Sequence, residues 1–221
     1  MKLFLLILVL IACAQAYLLK AEEGGPAALR VNGVEISQLR VERYFAEYLE
    51  DQGRALTSIR SPSLYQRLRE QAVEQLIAKE LLWQEARRRG IEVDEAEVQA
   101  RIGQLRRAFP DADAYDRALA NAGFDAASFA DYTRHEIAAQ QVYSLLGRVE
   151  PPTDEDVRAF HEERRQAEEN NPNQPQQSPV EREQGLALTR NLLLERQQAQ
   201  ARQTALQRLR AEARIERADT R

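Results

Sequence analysis

From Ser61 to Gly90 the chain reads "SPSLYQRLREQAVEQLIAKELLWQEARRRG", with one proline near its start and one glycine at its end. No other stretch constrains the fold so much. Ser61 before Pro62 is a helix opening, because serine caps the free amides and proline is tolerated where its missing N–H has no intrahelical partner. Gly90 suits the left-handed residue beyond a helix end, and Arg87, Arg88 and Arg89 suit the negative pole of the helix dipole. Inside the segment Leu64, Leu68, Ala72, Leu76, Lys79 and Trp83 form one stripe at helical spacing. Val73, Ile77, Leu81 and Leu82 widen it. A stripe this broad cannot be covered by one neighbour, so the segment predicts a long helix inside a multi-helix body.

The rest of the chain supplies the neighbours. Nine glycines and eight prolines in 221 residues leave few breaks, and Ala, Leu, Gln, Glu and Arg, all strong helix formers, dominate. "LRVNGVEIS" alternates apolar and polar residues around Asn32-Gly33, which predicts a short strand or a strand–turn–strand. Ser37 then caps "QLRVERYFAEYLEDQ". Asp94 with Glu97 predicts a capping box for "EAEVQARIGQLRRAF". "ADAYDRALANAG" reads as a short helix closed by Gly123, Asp125 caps "AASFADYTRHEIAAQQVYSLLGRV", and Thr153 caps "DEDVRAFHEERRQAEE" after Pro151-Pro152. The polar stretch "NNPNQPQQSP" follows, and a final long helix ends in "ARIERA", a candidate strand.

The first twenty residues read as an address. Lys2 precedes an unbroken apolar run from Leu3 to Ala14, the layout of a secretion signal. "LIAC" has the form of a lipobox, which makes Cys13 the expected lipidation site. "AQA" (Ala14 to Ala16) is the pattern of ordinary signal cleavage. Uncut, Leu3 to Leu19 would span about 26 Å, just short of a ~30 Å hydrocarbon core, as a membrane anchor. All three outcomes put the remaining chain outside the cytoplasm. Residues 21–28, with Gly24, Gly25 and Pro26, are expected to be a tether.

Chemistry is sparse. Cys13 is the one cysteine, so disulfides and cysteine-based metal sites within the chain are excluded. His135 and His161 lie on helices without a Ser, Cys or paired carboxylate at a telling spacing, and "HEERR" lacks the second histidine of a helical zinc motif. No glycine-rich phosphate loop is present. A net charge of −4 argues against a general nucleic-acid binder. The expected catalytic residues and metal ligands are therefore none, and no cofactor or small-molecule substrate is expected. The aromatics serve either as core filler or as the lining of a groove for unfolded chain; Tyr44, Tyr48, Phe109, Phe124, Phe129 and Tyr132 are the candidates for such a client-binding cradle.

Taken in order, the signal, "VNGVEIS" opening a helix, "LREQAVEQLIAKELLWQEARRRGIEVDEAEV", "FDAASFADYTRHEIAAQQVY" and "VEPPTDEDVRAFHEE" resemble the N-terminal chaperone domain of SurA- and PrsA-type periplasmic foldases. The resemblance covers roughly residues 29 to 165, and "ALQRLRAEARIE" is similar to the closing helix and strand of such chaperones. It implies a mainly α fold: a chaperone domain over 29–166, completed by a C-terminal helix and strand over 181–217, with a small strand pair joining the two chain ends and the last helix packing on the 61–89 helix. In that family a parvulin-type prolyl isomerase domain usually stands between the outgoing and returning helices. Here residues 167–180, a Pro/Gln/Asn linker, occupy the place. No parvulin histidine pair or "GGDLG"-like segment accompanies it, so the chain is not expected to be an enzyme. The resemblance implies a periplasmic chaperone or assembly factor in a Gram-negative bacterium. Its partners would be unfolded or nascent envelope proteins, with membrane attachment through the N-terminus. A prolyl isomerase relying on activity supplied elsewhere and a scaffold for one envelope partner are the alternatives.

Overall fold

The computed structural model describes residues 27–168 and 179–218. The signal, Cys13, nearly all of the tether and residues 169–178 of the polar stretch lie outside the described residues. The chain divides into two compact units. One holds the described residues up to Val142 together with those from Leu209 on, and the other holds Tyr143–Arg208.

The first unit opens with a hairpin. β1 (Ala27–Val31) and β2 (Val34–Ser37) pair antiparallel, and Val31 opposite Val34 leaves a two-residue turn. Asn32 (φ 52°) and Gly33 (φ 82°) both take positive φ, the conformation that matches a hairpin turn to strand twist and that this residue pair adopts most readily. The strand–turn–strand reading of this segment is therefore the one realised. β3 (Ile215–Arg217) pairs antiparallel with the other edge of β1, in the register Leu29–Arg217, Arg30–Glu216 and Val31–Ile215, giving the sheet order β2-β1-β3. Asn32 stitches the junction. Its N–H donates to Arg214 O (2.8 Å), its Oδ1 accepts from Arg214 N (2.8 Å), and its Nδ2 donates to Gln84 Oε1 (2.8 Å).

α1 (Gln38–Asp51) starts on Ser37, whose Oγ accepts from Arg40 N (3.2 Å). α2 (Pro62–Arg88) starts on Ser61 and closes at Gly90 (φ 66°), where Ile91 N donates back to Ala86 O (3.0 Å). Leu68, Ala72, Val73, Leu76, Ile77 and Leu81 of α2 pack with Val41, Phe45 and Leu49 of α1 and with Leu29, Val31 and Ile36 of the sheet. Leu209, Ala213 and Ile215 pack against the same core, so the chain's final segment joins the body near the 61–89 helix as expected. Arg217 reinforces the join with ion pairs to Glu70 (2.7 Å) and Glu74 (2.6 Å).

The α2 stripe differs from expectation at its C-terminal end. Lys79 and Trp83 are only partly buried, whereas Glu80 is 1% exposed. A carboxylate so deep needs partners. Arg40 lies 3.0 Å from one of its oxygens and Gln84 Nε2 donates to the other (3.1 Å).

α3 (Glu95–Arg106), α4 (Ala112–Asn121) and α5 (Ala126–Leu146) surround a second core of Leu105, Tyr115, Ala118, Leu119 and Phe129. Asp94 and Asp111 cap α3 and α4 through Ala96 N (3.0 Å) and Ala114 N (2.7 Å). The expected Asp94–Glu97 capping box is not the cap that forms: Asp94 caps through Ala96 N instead of Glu97 N, and the Glu97 carboxylate accepts from Gln141 Nε2 on α5 (3.2 Å). At α5 the box is made by Asp125 and Ser128, each accepting from the other's backbone amide (2.7 and 3.0 Å).

In the second unit, α6 (Asp154–Glu168) is capped by Thr153, whose Oγ1 accepts from Asp156 N (3.1 Å) while Asp156 Oδ2 accepts from Thr153 N (2.9 Å). α7 (Pro179–Glu212) passes through this unit and ends in the first. His161 Nδ1 lies 2.9 Å from Thr189 Oγ1, and Arg190 donates to Pro152 O (2.9 Å) and pairs with Asp154. These contacts tie α6 to α7 on both sides of the polar stretch.

Candidate functional site

Three helices, α1, α2 and α5, bring together a cluster of aromatic and ionisable side chains in the first unit. α1 presents Tyr44, Glu47 and Tyr48 at spacings of three and one, so Tyr44 and Glu47 share a face. α2 supplies Lys79, and α5 supplies Tyr132 and Glu136, four residues apart and likewise on one face. Lys79 Nζ lies 2.8 Å from Glu136 Oε2 and 3.8 Å from Glu47 Oε1. Tyr132 donates its hydroxyl to Glu47 Oε2 (3.2 Å), and the Lys79 ammonium sits 4.8 Å from the centre of the Tyr44 ring. Burial raises the Glu47 carboxyl to about 7, against the pull of Lys79 and with the help of the Glu136 and Asp51 charges. Burial likewise pushes the Tyr44 and Tyr132 hydroxyls well above the ordinary tyrosine range.

The six client-binding candidates fall into three groups. Tyr44 and Tyr48 are buried in the first core, with hydroxyls that donate out to Gln75 (3.2 Å) and Gln71 (3.1 Å) of α2. Phe129 is buried in the second core. Phe109, Phe124 and Tyr132 are partly buried around that second core. Phe124 packs edge-on to Phe129 with centroids 5.4 Å apart and lies 5.2 Å from Tyr132; Phe109 meets Tyr115 at 5.6 Å. The Arg43 guanidinium covers Phe124 at 3.8 Å and donates to Gly123 O (3.3 Å). The structure thus joins Phe124, Phe129 and Tyr132 into one aromatic group, sets Phe109 against Tyr115 at the same core, and keeps Tyr44 and Tyr48 in the other.

Glu47, Lys79 and Glu136 are absent from the sequence reading of the site. Lys79 stands in the apolar stripe of α2, and an ammonium in such a stripe is a signal for a buried counter-charge. Which carboxylates answer it depends on two other helices. His135 stacks on Trp83, with centroids 3.9 Å apart and planes 23° from parallel, and its pKa is lowered by burial and by the nearby Arg40 charge. Among the described residues no group of three His, Cys, Asp or Glu side chains could hold a metal ion, and no helix is long and apolar enough to cross a membrane. The arrangement offers hydrogen-bonded charges in a helical seam and a partly open aromatic rim beside them.

The family model described as the SurA-like N-terminal domain matches residues 1–143. No curated protein matches the chain.

Proposed function

This chain belongs to the SurA-like N-terminal domain family, and from that premise we propose that it is a non-catalytic, extracytoplasmic chaperone or assembly factor that holds unfolded or membrane-destined proteins. The family supports a chaperone-like role in general. The aromatic rim of the second core carries the finer reading. Phe109, Phe124 and Tyr132 keep part of their surfaces in water although each packs on a buried neighbour. Aromatic side chains left half-open in this way bind other chains with little demand on sequence. Phe129 then supports the rim from within, and Tyr44 and Tyr48, buried in the first core, stand apart from the client. Leu188 and Leu192 of α7, one turn apart and 66% and 46% exposed, add a second apolar patch in the other unit.

Aggregation of a denatured outer-membrane protein, followed by light scattering with the chain in several-fold excess, tests the reading. Suppression is expected, and a Phe109→Gln/Phe124→Gln variant that keeps its helical circular dichroism should lose most of it. No suppression by the native chain would reject the proposal. A proline-peptide isomerisation assay is expected to show no turnover, and turnover would favour the enzymatic reading.

A further inference from the structure

We propose that Glu47 is a proton-sensitive latch in the α1–α2–α5 seam, holding the three helices more tightly when its carboxyl is neutral than when it is ionised. The geometry begins with a charge count. Around Glu47 stand Tyr44 and Asp51 on its own helix, Lys79 on α2, and Tyr132 and Glu136 on α5. One ammonium therefore faces two carboxylates in the seam, with Asp51 a further turn along α1 and the Arg43 guanidinium a turn before Glu47, held over the Phe124 ring.

The ammonium is not shared evenly. Lys79 is in direct contact with Glu136 at 2.8 Å and stands 3.8 Å from Glu47. Glu47 feels the ammonium only at that longer range, and the group that hydrogen-bonds it is a neutral donor, the Tyr132 hydroxyl at 3.2 Å. It is also the deeper of the two carboxylates, with 13% of its side chain exposed against 22% for Glu136. An ionised Glu47 is thus a desolvated negative charge that repels the α5 carboxylate across the seam. A protonated Glu47 removes that repulsion, leaves Lys79 matched to Glu136, and keeps an O–H group for the Tyr132 oxygen.

The direction of the pH effect follows. The carboxyl titrates at about 7 in the folded chain against an ordinary value of 4.5. The folded state therefore holds this proton more tightly than the unfolded state. The stabilisation is complete below about 4.5 and is lost as pH rises through about 7, so between pH 5 and 8 the folding constant should fall on the order of 50- to 100-fold from this group. His135 works in the opposite sense. Its lowered pKa makes stability rise with pH around its ordinary value of 6.5, so the comparison must be with a variant that retains it.

The test is denaturant unfolding of the native chain and of Glu47→Gln at intervals from pH 5 to 8.5. The difference between the two should grow with pH in favour of the variant by roughly that factor. Carboxyl carbon NMR of the native chain provides a second reading that needs no variant. The Glu47 signal should titrate near neutral pH, and Lys79→Met should move its midpoint higher still. A Glu47→Gln variant with the same pH slope as the native chain, or a Glu47 signal that titrates near 4.5, would overturn the latch.

Discussion

Replacing Glu216 by proline tests whether the two ends of the sequence close one body. In an antiparallel ladder, pairs that exchange hydrogen bonds alternate with pairs that do not. Asn32 N donates to Arg214 O and Ala218 N donates to Ala28 O, so the bonded pairs are 32/214, 30/216 and 28/218, and the Glu216 N–H points at β1. Proline removes that donor and leaves the Arg30 carbonyl unpaired, at about 1–3 kcal/mol. If the three-residue strand detaches, about five hydrogen bonds worth ~1 kcal/mol each and the half-buried Ile215 side chain are lost together, for a ceiling near 6 kcal/mol. At about 4 °C per kcal/mol for a unit of this size, the melting temperature should drop by roughly 5–20 °C. Glu216→Ala keeps the N–H and gives up only an exposed ion pair to Arg214, which costs under about 1 kcal/mol. Thermal unfolding by circular dichroism separates the two, and amide exchange at Asn32 reports the ladder directly. A proline variant that melts with the alanine variant and keeps Asn32 protected would show that β3 is not part of the folded body.

Two further substitutions probe particular contacts. Arg40→Ala should cost about 2–3 kcal/mol in denaturant unfolding, because Glu80 keeps only Gln84 as a partner; the figure lies below the usual cost of breaking a buried pair since a third of Arg40 remains in water. Adding Glu80→Gln should recover part of that loss, and a strictly additive double variant would mean the pair is not coupled. Gly147→Ala places a methyl 2.5 Å from Arg202 Nη1 and 3.1 Å from its stem, so Arg202 must leave the Tyr143 ring it now covers at 5.1 Å. The expected cost is about 1 kcal/mol, and it should shrink in an Arg202→Ala background.

Local physics made much of the fold legible. Ser37, Ser61, Asp94, Asp125 and Thr153 sit at helix starts, and a cap's partner is an amide two or three residues away, inside the window that a sequence displays. The Asn32-Gly33 hairpin is equally local. The Asp94–Glu97 box gives way to a simple Asp94 cap for a reason that is not local: Gln141 competes for the Glu97 carboxylate from 44 residues away. Burial of the aromatics was similarly hidden, because Tyr44 and Phe124 carry the same kind of ring and differ only in which neighbours close over them.

The sequence by itself determined a helical chain of the SurA-like kind, with its breaks, caps and turn in place, because those depend on backbone geometry and on spacing within a few residues. Tertiary structure alone decided that Glu47, Lys79 and Glu136 meet, that Glu80 is paired, and that the rim rests on Phe109, Phe124 and Tyr132. Charge, desolvation and exposure belong to the packed neighbourhood. They take their values only once helices distant in sequence lie side by side.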